Sequence, residues 1–503
     1  MVFELLNTIP DHRFTLLGGV CLGLFFLLSL LRPTSDTKGL PLINSDDMLD
    51  PFSYKRKMRF LQSSNELLKD GFSKSPSGFR IMTHNGQMTV LPSIFANELR
   101  NDDRLNAREA IQEEFLAHMP SFAPITGGSM TDEAVSKSML RITRALGALT
   151  EPMSEEVDLC LQTYWTDNPD WHEVHLAEGL LRMVVQVSAR AFLGKGLGRD
   201  PRWIEATLGY MAKGFTSVFT LHLFPRCLHS LLQWVLPMCR EAHAHLSQAR
   251  VLMQPELDRR ETMDQKPNDA ITWMEESARG SPFDPVAGQL SLSFAATHTT
   301  SDFLTKLFVH LCENPEIVPE LRKEIISAIG ENGMTKEGMS HLRLLDSVMK
   351  ESQRMNPLAL ATMTRRVLKS VTLKNGLELP QGSNLIVSTK SMNDPDVYAE
   401  PHRFKGHRFL SMREGSGKEN HHQFVSTGEH HLGFGHGVHA CPGRFFAAHE
   451  LKIFLSHILL KYDFKFPDGY QPRFVTAGFF VPSDPNCRML IRRRKEEITM
   501  TPG

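Results

Sequence analysis

One ten-residue segment limits what this chain can be more than any other feature of its sequence. Residues 434–443 read Phe-Gly-His-Gly-Val-His-Ala-Cys-Pro-Gly and precede a helical stretch at 444–460. With 31 Phe, 34 Gly and 7 Cys in 503 residues, the pattern F-x-x-G-x-x-x-C-x-G would arise by chance about 0.002 times. Glycines allow positive φ and close backbone approach, and a helix that begins after Cys441 directs N–H dipoles toward its sulfur. The segment therefore favours a thiolate metal ligand, although a lone cysteine is more commonly buried and inert.

Helical periodicity dominates the remaining sequence and predicts the fold class. Apolar residues recur at three- and four-residue spacing over five stretches: 154–164, 176–192, 288–312, 315–329 and 342–355. Strand signals are short and lie mostly late, and the strongest is a hairpin at 370–379 around an Asn375-Gly376 turn. No repeat, low-complexity tract or long linker divides residues 51–503, so we expect one large domain. The predicted architecture is mainly α with small peripheral β-sheets.

Charge and cysteine usage exclude several classes of protein. The 56 Lys and Arg residues nearly balance the 57 Asp and Glu residues, so the chain is no bulk polybasic binder and we expect no nucleic-acid partner. Its 41% hydrophobic content is ordinary for a folded protein and excludes a disordered tail. The 7 cysteines are odd in number and include no C-x-x-C pair, which argues against a disulfide framework and favours a reducing compartment.

The N-terminus carries the pattern of a membrane anchor. Residues 14–31 contain no charge and, at about 1.5 Å per residue, would span roughly 27 Å as a helix. A cleaved signal peptide is the alternative, but its apolar region is usually shorter, and Arg32-Pro33 follows here instead of a small-residue cleavage site. Basic residues downstream place the rest of the chain in the cytosol. We predict a short lumenal segment (1–13), a single transmembrane helix (14–31), a Pro- and Gly-containing linker (32–50) and a cytosolic catalytic domain (51–503).

A second motif lies upstream of the cysteine. Glu351 and Arg354 form E-x-x-R ninety residues before Cys441, and on a helix the two side chains share one face and can pair. In this order, the motif and segment 434–443 resemble the cytochrome P450 family, and the resemblance covers most of residues 38–503. It implies the cytochrome P450 fold, with Cys441 as the proximal ligand of the iron in haem b, where a thiolate favours O–O cleavage.

The resemblance implies roles for other residues around the haem. Phe434 is expected to pack beside the ligand and the porphyrin, and Gly443 belongs to the same cofactor-binding loop. His439 stands where many members have an Arg, so a propionate contact there is expected to be weaker, pH-sensitive or supplied elsewhere. Arg365 lies where the family often has a propionate partner, for which a planar guanidinium is suited.

Two arginines compete to complete the E-x-x-R network. The family adds a third residue, an Arg from a P-E-R-F-like segment, and this chain offers Arg403 in PHRF and Arg408 in GHRF. We expect Arg408, because the residues around it fit the family's spacing better. Arg403 stays as the alternative.

The predicted helix at 288–312 carries the residues expected on the oxygen side. Residues 294–300 read Phe-Ala-Ala-Thr-His-Thr-Thr and, in isolation, would be taken for a small-residue packing face. They resemble the family's oxygen-activating segment, which implies that Thr299 orients dioxygen and relays protons. Ala296 replaces the usual Gly and His298 the usual acid, but a histidine can still pass protons near neutrality, so both Thr299 and His298 are expected catalytic residues. The resemblance places the substrate pocket at Phe294, Ala295 and Thr299 on this helix, at residues 358–363, which include Leu360, and at residues 477–480, which include Phe479 and Phe480.

The function that the resemblance implies is a haem-thiolate monooxygenase. It would use O2 and electrons from an NADPH-dependent cytochrome P450 reductase, with cytochrome b5 as an additional donor, because the chain has no flavin or nicotinamide fingerprint of its own. Finer similarity to fungal microsomal members of secondary metabolism implies the endoplasmic reticulum membrane and an apolar, terpenoid-like substrate. A haem-thiolate desaturase, isomerase or dehydratase stays open. A third class is a non-enzymatic haem binder, or a zinc binder built from His430, His431, His436, His439 and Cys441.

Overall fold

The computed structural model describes residues 39–45, 50, 53–127, 130–278, 282–415 and 417–498. The predicted lumenal segment and transmembrane helix, residues 1–31, lie outside these ranges. None of the helices within them has an apolar stretch of membrane-spanning length.

Most of the described residues belong to helices, as the apolar spacing predicts. Each of the five predicted stretches coincides with a helix, and residues 315–317 form a 3₁₀ turn that leads into one of them. In chain order the helices are α1 (Tyr54–Lys74), α2 (Ala96–Leu99), α3 (Ala107–Glu114), α4 (Asp132–Arg144), α5 (Leu146–Tyr164), α6 (Leu176–Gly198), α7 (Pro201–His222), α8 (Arg226–Val235), α9 (Pro237–Glu261), α10 (Ala270–Ser277), α11 (Pro285–Glu313), α12 (Val318–Asn332), α13 (Lys336–His341), α14 (Arg343–Met355), α15 (Arg408–Ser411) and α16 (Arg444–Lys461).

Helix α11 is the central element of the described fold. It begins where the Asp284 side chain accepts the N–H groups of Val286 and Ala287 at 3.0 and 3.1 Å, with Pro285 as its first residue. It ends before the next proline, which cannot continue a helix. Because α11 packs against α6, α7, α14 and α16, its middle turns lie inside the molecule.

The strands form small sheets around this helical body, as expected. They are β1 (Phe79–Thr83), β2 (Gly86–Leu91), β3 (Leu105–Asn106), β4 (His172–His175), β5 (Ala361–Val367), β6 (Val371–Thr372), β7 (Glu378–Leu379), β8 (Asn384–Ser388), β9 (Tyr462–Lys465) and β10 (Arg488–Arg493). The largest sheet has the order β1-β2-β8-β5-β3, and β2 pairs with β8 in parallel whereas the other neighbours are antiparallel. A second sheet has the order β4-β10-β9. The mainly α fold with small sheets is thus confirmed.

The hairpin prediction is confirmed, and six of the ten described strands lie after residue 360 as expected, but the sequence-based prediction missed an early hairpin. Strands β6 and β7 pair on either side of the Asn375-Gly376 turn, where Gly376 has φ 85°. Strands β1 and β2 pair in a similar way around His84-Asn85, and Gly86, the first residue of β2, has φ 119°. Both hairpins carry an Asn-Gly dipeptide at or next to the turn, so the early hairpin had a similar local signal.

The predicted linker is shorter than expected because part of it joins the sheet. Residues 40–44 run along β1: Ile43 N–H donates to the Arg80 carbonyl at 3.0 Å, and Arg80 N–H donates to the Pro41 carbonyl at 2.8 Å. Leu40 and Ile43 are buried. The boundary predicted at residues 50/51 is therefore too late, because burial of these side chains already ties residues 40–44 to the globular domain.

The main hydrophobic core holds α11 between its neighbouring helices. Its fully buried members include Val157 of α5, Val184 of α6, Leu307 of α11, Val348 of α14 and Leu455 of α16. Each such side chain contributes about 1.5–3 kcal/mol by leaving water. The core therefore fixes α11, which carries Thr299 and His298, relative to α14, which carries Glu351 and Arg354, and to α16, which follows Cys441.

Candidate active site

Cys441 lies at the end of a tight loop that runs directly into helix α16. The loop closes through a hydrogen bond in which Cys441 N–H donates to the Phe434 carbonyl at 2.8 Å. Gly435 and Gly437 adopt positive φ of 69° and 83°, which favours glycine. A Cβ on Gly437 would lie 2.5 Å from the Cβ of Arg100, so a larger residue does not fit. The two glycines are therefore required by the shape of the loop.

The sulfur of Cys441 is enclosed by protein and yet remains accessible. Burial raises the pKa of its thiol, whereas the backbone N–H of Gly443 and the charge and backbone N–H of Arg444 oppose that rise. These two residues stand at the start of α16, where N–H groups have no partner within the helix. The N–H donors at the helix start stabilise the thiolate form of this sulfur.

Three phenylalanine rings connect the cysteine loop to the middle of α11. The ring of Phe434 lies 5.1 Å from that of Phe424, and Phe424 lies 5.2 Å from Phe303 on α11. Phe303 follows Thr299 by about one helical turn. Packing of these rings therefore brings the cysteine loop close to the part of α11 that carries Thr299.

Helix α11 presents an accessible stripe in its interior stretch. Ala295 and Thr299, four residues apart on one face, are exposed, whereas Thr297 and Thr300 are buried. Because the middle of α11 is surrounded by other helices, the stripe faces an internal space and not the outer surface. The Thr299 hydroxyl donates to the Ala295 carbonyl at 2.8 Å, which leaves its lone pairs available.

His298 is partly buried beside this stripe. Its ring centroid lies 6.4 Å from that of Phe294, and within the described chain neither imidazole nitrogen has a hydrogen-bond partner. Burial lowers the pKa of His298, and the negative charge of Asp302 opposes that change. The imidazole is therefore predominantly neutral at pH 7, a form in which one nitrogen donates and the other accepts.

Arg365 is a buried arginine that the described chain leaves without an acidic partner. Its Nη1 donates to the Thr364 carbonyl at 2.9 Å, but its Nε and Nη2 have no partner among the described residues. A register shift lies between Thr362 and Arg365, with Met363 at φ 57°, but burial still alternates along the strand and Arg365 lies on its buried side. Burial lowers the pKa of Arg365 to about 10. Buried donors without partners are costly, so this guanidinium fits an anionic group.

The E-x-x-R residues form a fully buried ion-pair network. Arg354 donates to both carboxylate oxygens of Glu351, through Nε at 2.8 Å and Nη2 at 3.0 Å. Arg408 Nε lies 3.0 Å from both oxygens of the same carboxylate. Arg403 instead is 73% exposed and contacts Glu400 at 3.5 Å. The structure thus brings Arg408, and not Arg403, to Glu351.

The histidines near the cysteine loop have separate partners. His431 Nε2 lies 2.9 Å from Gln353 Oε1, His436 contacts Arg100 and Asn97, and His430 pairs with Glu429 at 3.3 Å. His439 ends a short 3₁₀ turn, Gly437–His439, and is exposed. No group of three or more His, Cys, Asp or Glu side chains in the described ranges could hold a metal ion. The geometry therefore does not support the zinc alternative.

An aromatic cluster lies beside the accessible stripe of α11. The ring of Phe294 lies 5.5 Å from Phe215 and 5.9 Å from Phe115. Phe219 stacks on Phe215 at 5.2 Å, and Phe480 lies 6.0 Å from Phe215. These five rings come from four segments far apart in sequence. Phe294 and Phe480 lie in segments expected at the pocket, whereas Phe115, Phe215 and Phe219 were missed by sequence reasoning. The spacing of Phe215 and Phe219, four residues apart on α7, is the one local signal that could have found two of them.

Two predicted pocket residues are absent from this cluster. Phe479 packs on Phe60 with ring centroids 4.8 Å apart, and Leu360 packs in the same core cluster beneath the five-stranded sheet. The C-terminal segment turns Phe480, and not Phe479, toward Phe215, so the pocket assignment of Leu360 and Phe479 stays a prediction. Phe294 and Ala295 do lie in the predicted region.

The arranged residues fit a haem group. Cys441 supplies an accessible sulfur with helix-start donors around it, which suits a thiolate ligand of iron. Arg365 supplies two unpaired buried N–H donors, which suit a propionate. The α11 stripe at Ala295 and Thr299 leaves an open wall where dioxygen and a substrate could be held.

Comparisons with known proteins agree with this geometry. The family model described as Cytochrome P450 matches residues 132–487. The chain is 39% identical over 477 residues to "Cytochrome P450 monooxygenase ntnM" of Nectria sp, covering 93% of this chain and 91% of the relative. It is also 39% identical over 500 residues to "Cytochrome P450 monooxygenase adrA" of Penicillium rubens, covering 96% and 97%.

A solved structure shows the same fold. "Retinoic acid bound cyanobacterial CYP120A1" aligns with a TM-score of 0.68 over 87% of this chain and 96% of its own, at 18% identity. At that identity the likeness concerns the arrangement of helices and sheets alone.

Proposed function

This chain belongs to the cytochrome P450 family, and on that premise we propose that Cys441 binds the haem iron in a monooxygenase that oxidises an apolar small molecule of fungal secondary metabolism, such as a terpenoid-derived intermediate. When bound, thiolate-ligated haem supplies the activation of O2 for C–H oxidation. The observation that carries the proposal is the accessible sulfur of Cys441, deep in the fold and surrounded by helix-start N–H donors.

The residues around the proposed haem hold it and keep its loop in place. Cys441 N–H and the Phe434 carbonyl close the loop, and Phe434 packs through Phe424 onto α11. Arg365 binds a propionate through its Nε and Nη2. The Glu351 network anchors α14 to the segment that precedes the cysteine loop, because Arg354 also donates to the Met392 and Pro401 carbonyls at 2.8 and 2.7 Å.

Thr299 and His298 transfer protons on the side of the proposed haem where dioxygen binds. The Thr299 hydroxyl donates to the Ala295 carbonyl, so its oxygen accepts a hydrogen bond and can exchange the proton it holds. The neutral imidazole of His298 accepts a proton at one nitrogen and releases another from its second nitrogen. His298 thereby takes the place of the acid that the family usually has at this position.

The aromatic cluster supports an apolar substrate. Five phenylalanine rings beside the accessible stripe offer dispersion contacts and few hydrogen-bonding groups, which suits a hydrocarbon skeleton. His298 is the polar side chain next to Phe294, so one polar atom on the substrate could be held there.

The proposal includes a redox partner and a membrane. An NADPH-dependent cytochrome P450 reductase, with cytochrome b5 as an additional donor, would deliver electrons from the cytosol. The apolar segment 14–31 would anchor the chain in the endoplasmic reticulum membrane with residues 51–503 on the cytosolic side. The absence of a charge in that segment supports its insertion, and the basic residues downstream support the cytosolic orientation.

A desaturase, isomerase or dehydratase reaction is the second candidate. It is favoured by His298, whose unpaired neutral imidazole could act as a base on the substrate itself.

Reconstitution with ¹⁸O2 separates the two candidates. The chain is combined with reductase in phospholipid vesicles and supplied with candidate terpenoids, NADPH and ¹⁸O2. The proposal expects one ¹⁸O atom in the product and no product without NADPH. Product without NADPH would favour an isomerase or dehydratase, NADPH-dependent product without ¹⁸O a desaturase, and a haem-loaded chain inert toward all apolar substrates would contradict the proposal.

A further inference from the structure

A buried ion pair lies on α11 just beyond the accessible stripe. Lys306 and Asp302 are four residues apart, and the lysine Nζ lies 2.8 Å from Asp302 Oδ2. The side chain of Lys306 is 1% exposed and that of Asp302 13%. Neither residue belongs to the motifs by which the sequence was interpreted.

The ammonium of Lys306 has an acceptor for each of its three N–H groups. Besides Asp302, it donates to the Pro357 carbonyl at 3.3 Å and to the Val481 carbonyl. The second oxygen of Asp302 accepts the N–H of Ser483 at 2.5 Å. The pair therefore joins α11 to two separate segments, one after α14 and one near the C-terminus.

These two segments form a wall next to the aromatic cluster. They are hydrogen-bonded to each other, since Leu360 N–H donates to the Phe479 carbonyl at 2.8 Å and Val481 N–H donates to the Leu358 carbonyl at 2.9 Å. The C-terminal segment carries Phe480, whose ring lies 6.0 Å from Phe215. The ion pair thus acts on the backbone directly beside Phe480.

Stability alone does not account for this pair. Removing two charges from water costs several kcal/mol each, and well-packed apolar residues often stabilise a core as well or better. Burial lowers the pKa of Lys306, and Asp302 opposes that change. Apolar residues could not fix the position of the two segments in the same way, because only the ammonium and carboxylate bind particular carbonyl and N–H groups of these segments.

We infer that Asp302 and Lys306 are positioning residues that hold the pocket wall formed by residues 357–361 and 477–483 against α11, and so set how a substrate lies over the haem. The inference rests on the proposed function, in that the aromatic cluster is taken as the substrate pocket. It adds residues that do not touch substrate or haem.

The test compares two probes of the haem site in purified holoenzyme. Imidazole binds haem iron without reaching far into the pocket, whereas 1-phenylimidazole extends a ring into it, and both give a spectral shift. In Lys306→Met and in Asp302→Asn/Lys306→Met, we expect the ratio of the two dissociation constants to change about tenfold, since small misplacements of a pocket wall have effects of this order. Asp302→Glu keeps the negative charge and should retain most of the wild-type ratio of the two dissociation constants.

Hydrogen exchange provides a second readout that does not involve the iron. Amides of residues 477–483 should exchange about tenfold faster in both K306M forms. The matched control is Lys461→Met, which breaks a Lys–Asp pair with Asp158 that touches neither segment; the lysine side chain is 11% exposed and the aspartate side chain 36%. K461M should leave both the exchange of residues 477–483 and the probe ratio unchanged.

The double variant keeps the inference falsifiable if K306M alone does not fold, because it leaves no unpaired charge in the core. A probe ratio within twofold of wild type in a folded double variant would overturn the inference, whatever the exchange shows. Failure of the proposed function looks different: imidazole would then give no haem spectral shift in the wild-type protein.

Discussion

Replacing Arg408 by Gln tests the buried ion-pair network on which the E-x-x-R assignment depends. Glu351 is fully buried and accepts hydrogen bonds from Arg354 and Arg408, and Arg408 also donates to the Ala399 carbonyl at 2.7 Å. Removing one member of a buried charge network costs about 3–5 kcal/mol, because the remaining charges lose their compensation and cannot reach water. This is a large part of the stability of an ordinary protein, about 5–15 kcal/mol.

Arg403→Gln is the matched control. Arg403 is 73% exposed and its contact with Glu400 is 3.5 Å long, so the pair contributes about 0–1 kcal/mol. At an unfolding entropy of about 2.1 cal/mol/K per residue, 503 residues correspond to about 1 kcal/mol per degree. R408Q should therefore lower Tm by about 3–5 °C, and R403Q by at most about 1 °C.

Differential scanning calorimetry of the purified holoproteins measures both changes under one buffer condition. The reasoning is refuted if R403Q lowers Tm as much as R408Q does, or if R408Q leaves Tm within a degree of wild type. Either result would mean that Arg408 does not compensate Glu351 in solution.

Three further predictions concern the oxygen side, the propionate partner and a buried acid. Thr299→Ala should lower the product formed per NADPH about tenfold or more and release hydrogen peroxide instead. The control is Thr305→Ala, which removes a buried hydroxyl that donates to the Ser301 carbonyl at 2.9 Å and should leave the product formed per NADPH unchanged. Equal product per NADPH in both variants would contradict the role of Thr299. Arg365→Leu should reduce the haem bound per protein in a pyridine haemochrome assay, because the propionate loses its partner. The apoprotein loses only an unpaired buried charge. Full haem occupancy in this variant would contradict the role of Arg365. Burial raises the pKa of Glu450 from 4.5 to about 8, so between these pH values the folded state keeps a proton that the unfolded state loses. The free energy of unfolding is therefore highest below pH 4.5 and falls as the pH rises toward 8. Glu450→Gln should remove that slope, of up to roughly 1.4 kcal/mol per pH unit, in denaturant unfolding, and an unchanged slope would refute the assignment.

Local patterns predicted the parts of the site that local geometry determines. Glu351 and Arg354 lie one helical turn apart, so their pairing follows from helix geometry once α14 forms. The glycines near Cys441 predict a tight loop, because a larger residue at Gly437 would clash with Arg100, and the apolar residues after the loop predict a helix. These features depend on residues within about ten positions of each other.

Non-local packing determined what the sequence could not show. Phe115, Phe215, Phe294 and Phe480 come from four separate segments, and nothing in any one segment indicates that their rings meet. The choice between Phe479 and Phe480 depends on an irregular segment where side-chain alternation cannot be read from spacing.

Two further features depend on contacts that the sequence does not show. Arg365 follows the alternation of β5 and was expected at the haem, but the sequence could not show that its Nε and Nη2 lack partners among the described residues. Lys306 and Asp302 are four residues apart on one helix, which is a local signal for their pairing, but the Pro357 and Val481 carbonyls that also bind Lys306 could not be predicted from residue type or spacing.

The most direct measurement is the absorption spectrum of the reduced, carbon-monoxide-bound protein. The account predicts a Soret band at the long wavelength typical of thiolate-ligated haem in the wild type and in the control Cys227→Ser, which replaces an exposed cysteine. It predicts that Cys441→Ala loses this band. A C441A protein with the wild-type spectrum, or a folded wild-type protein that never acquires the band, would contradict the claim that Cys441 is the haem ligand.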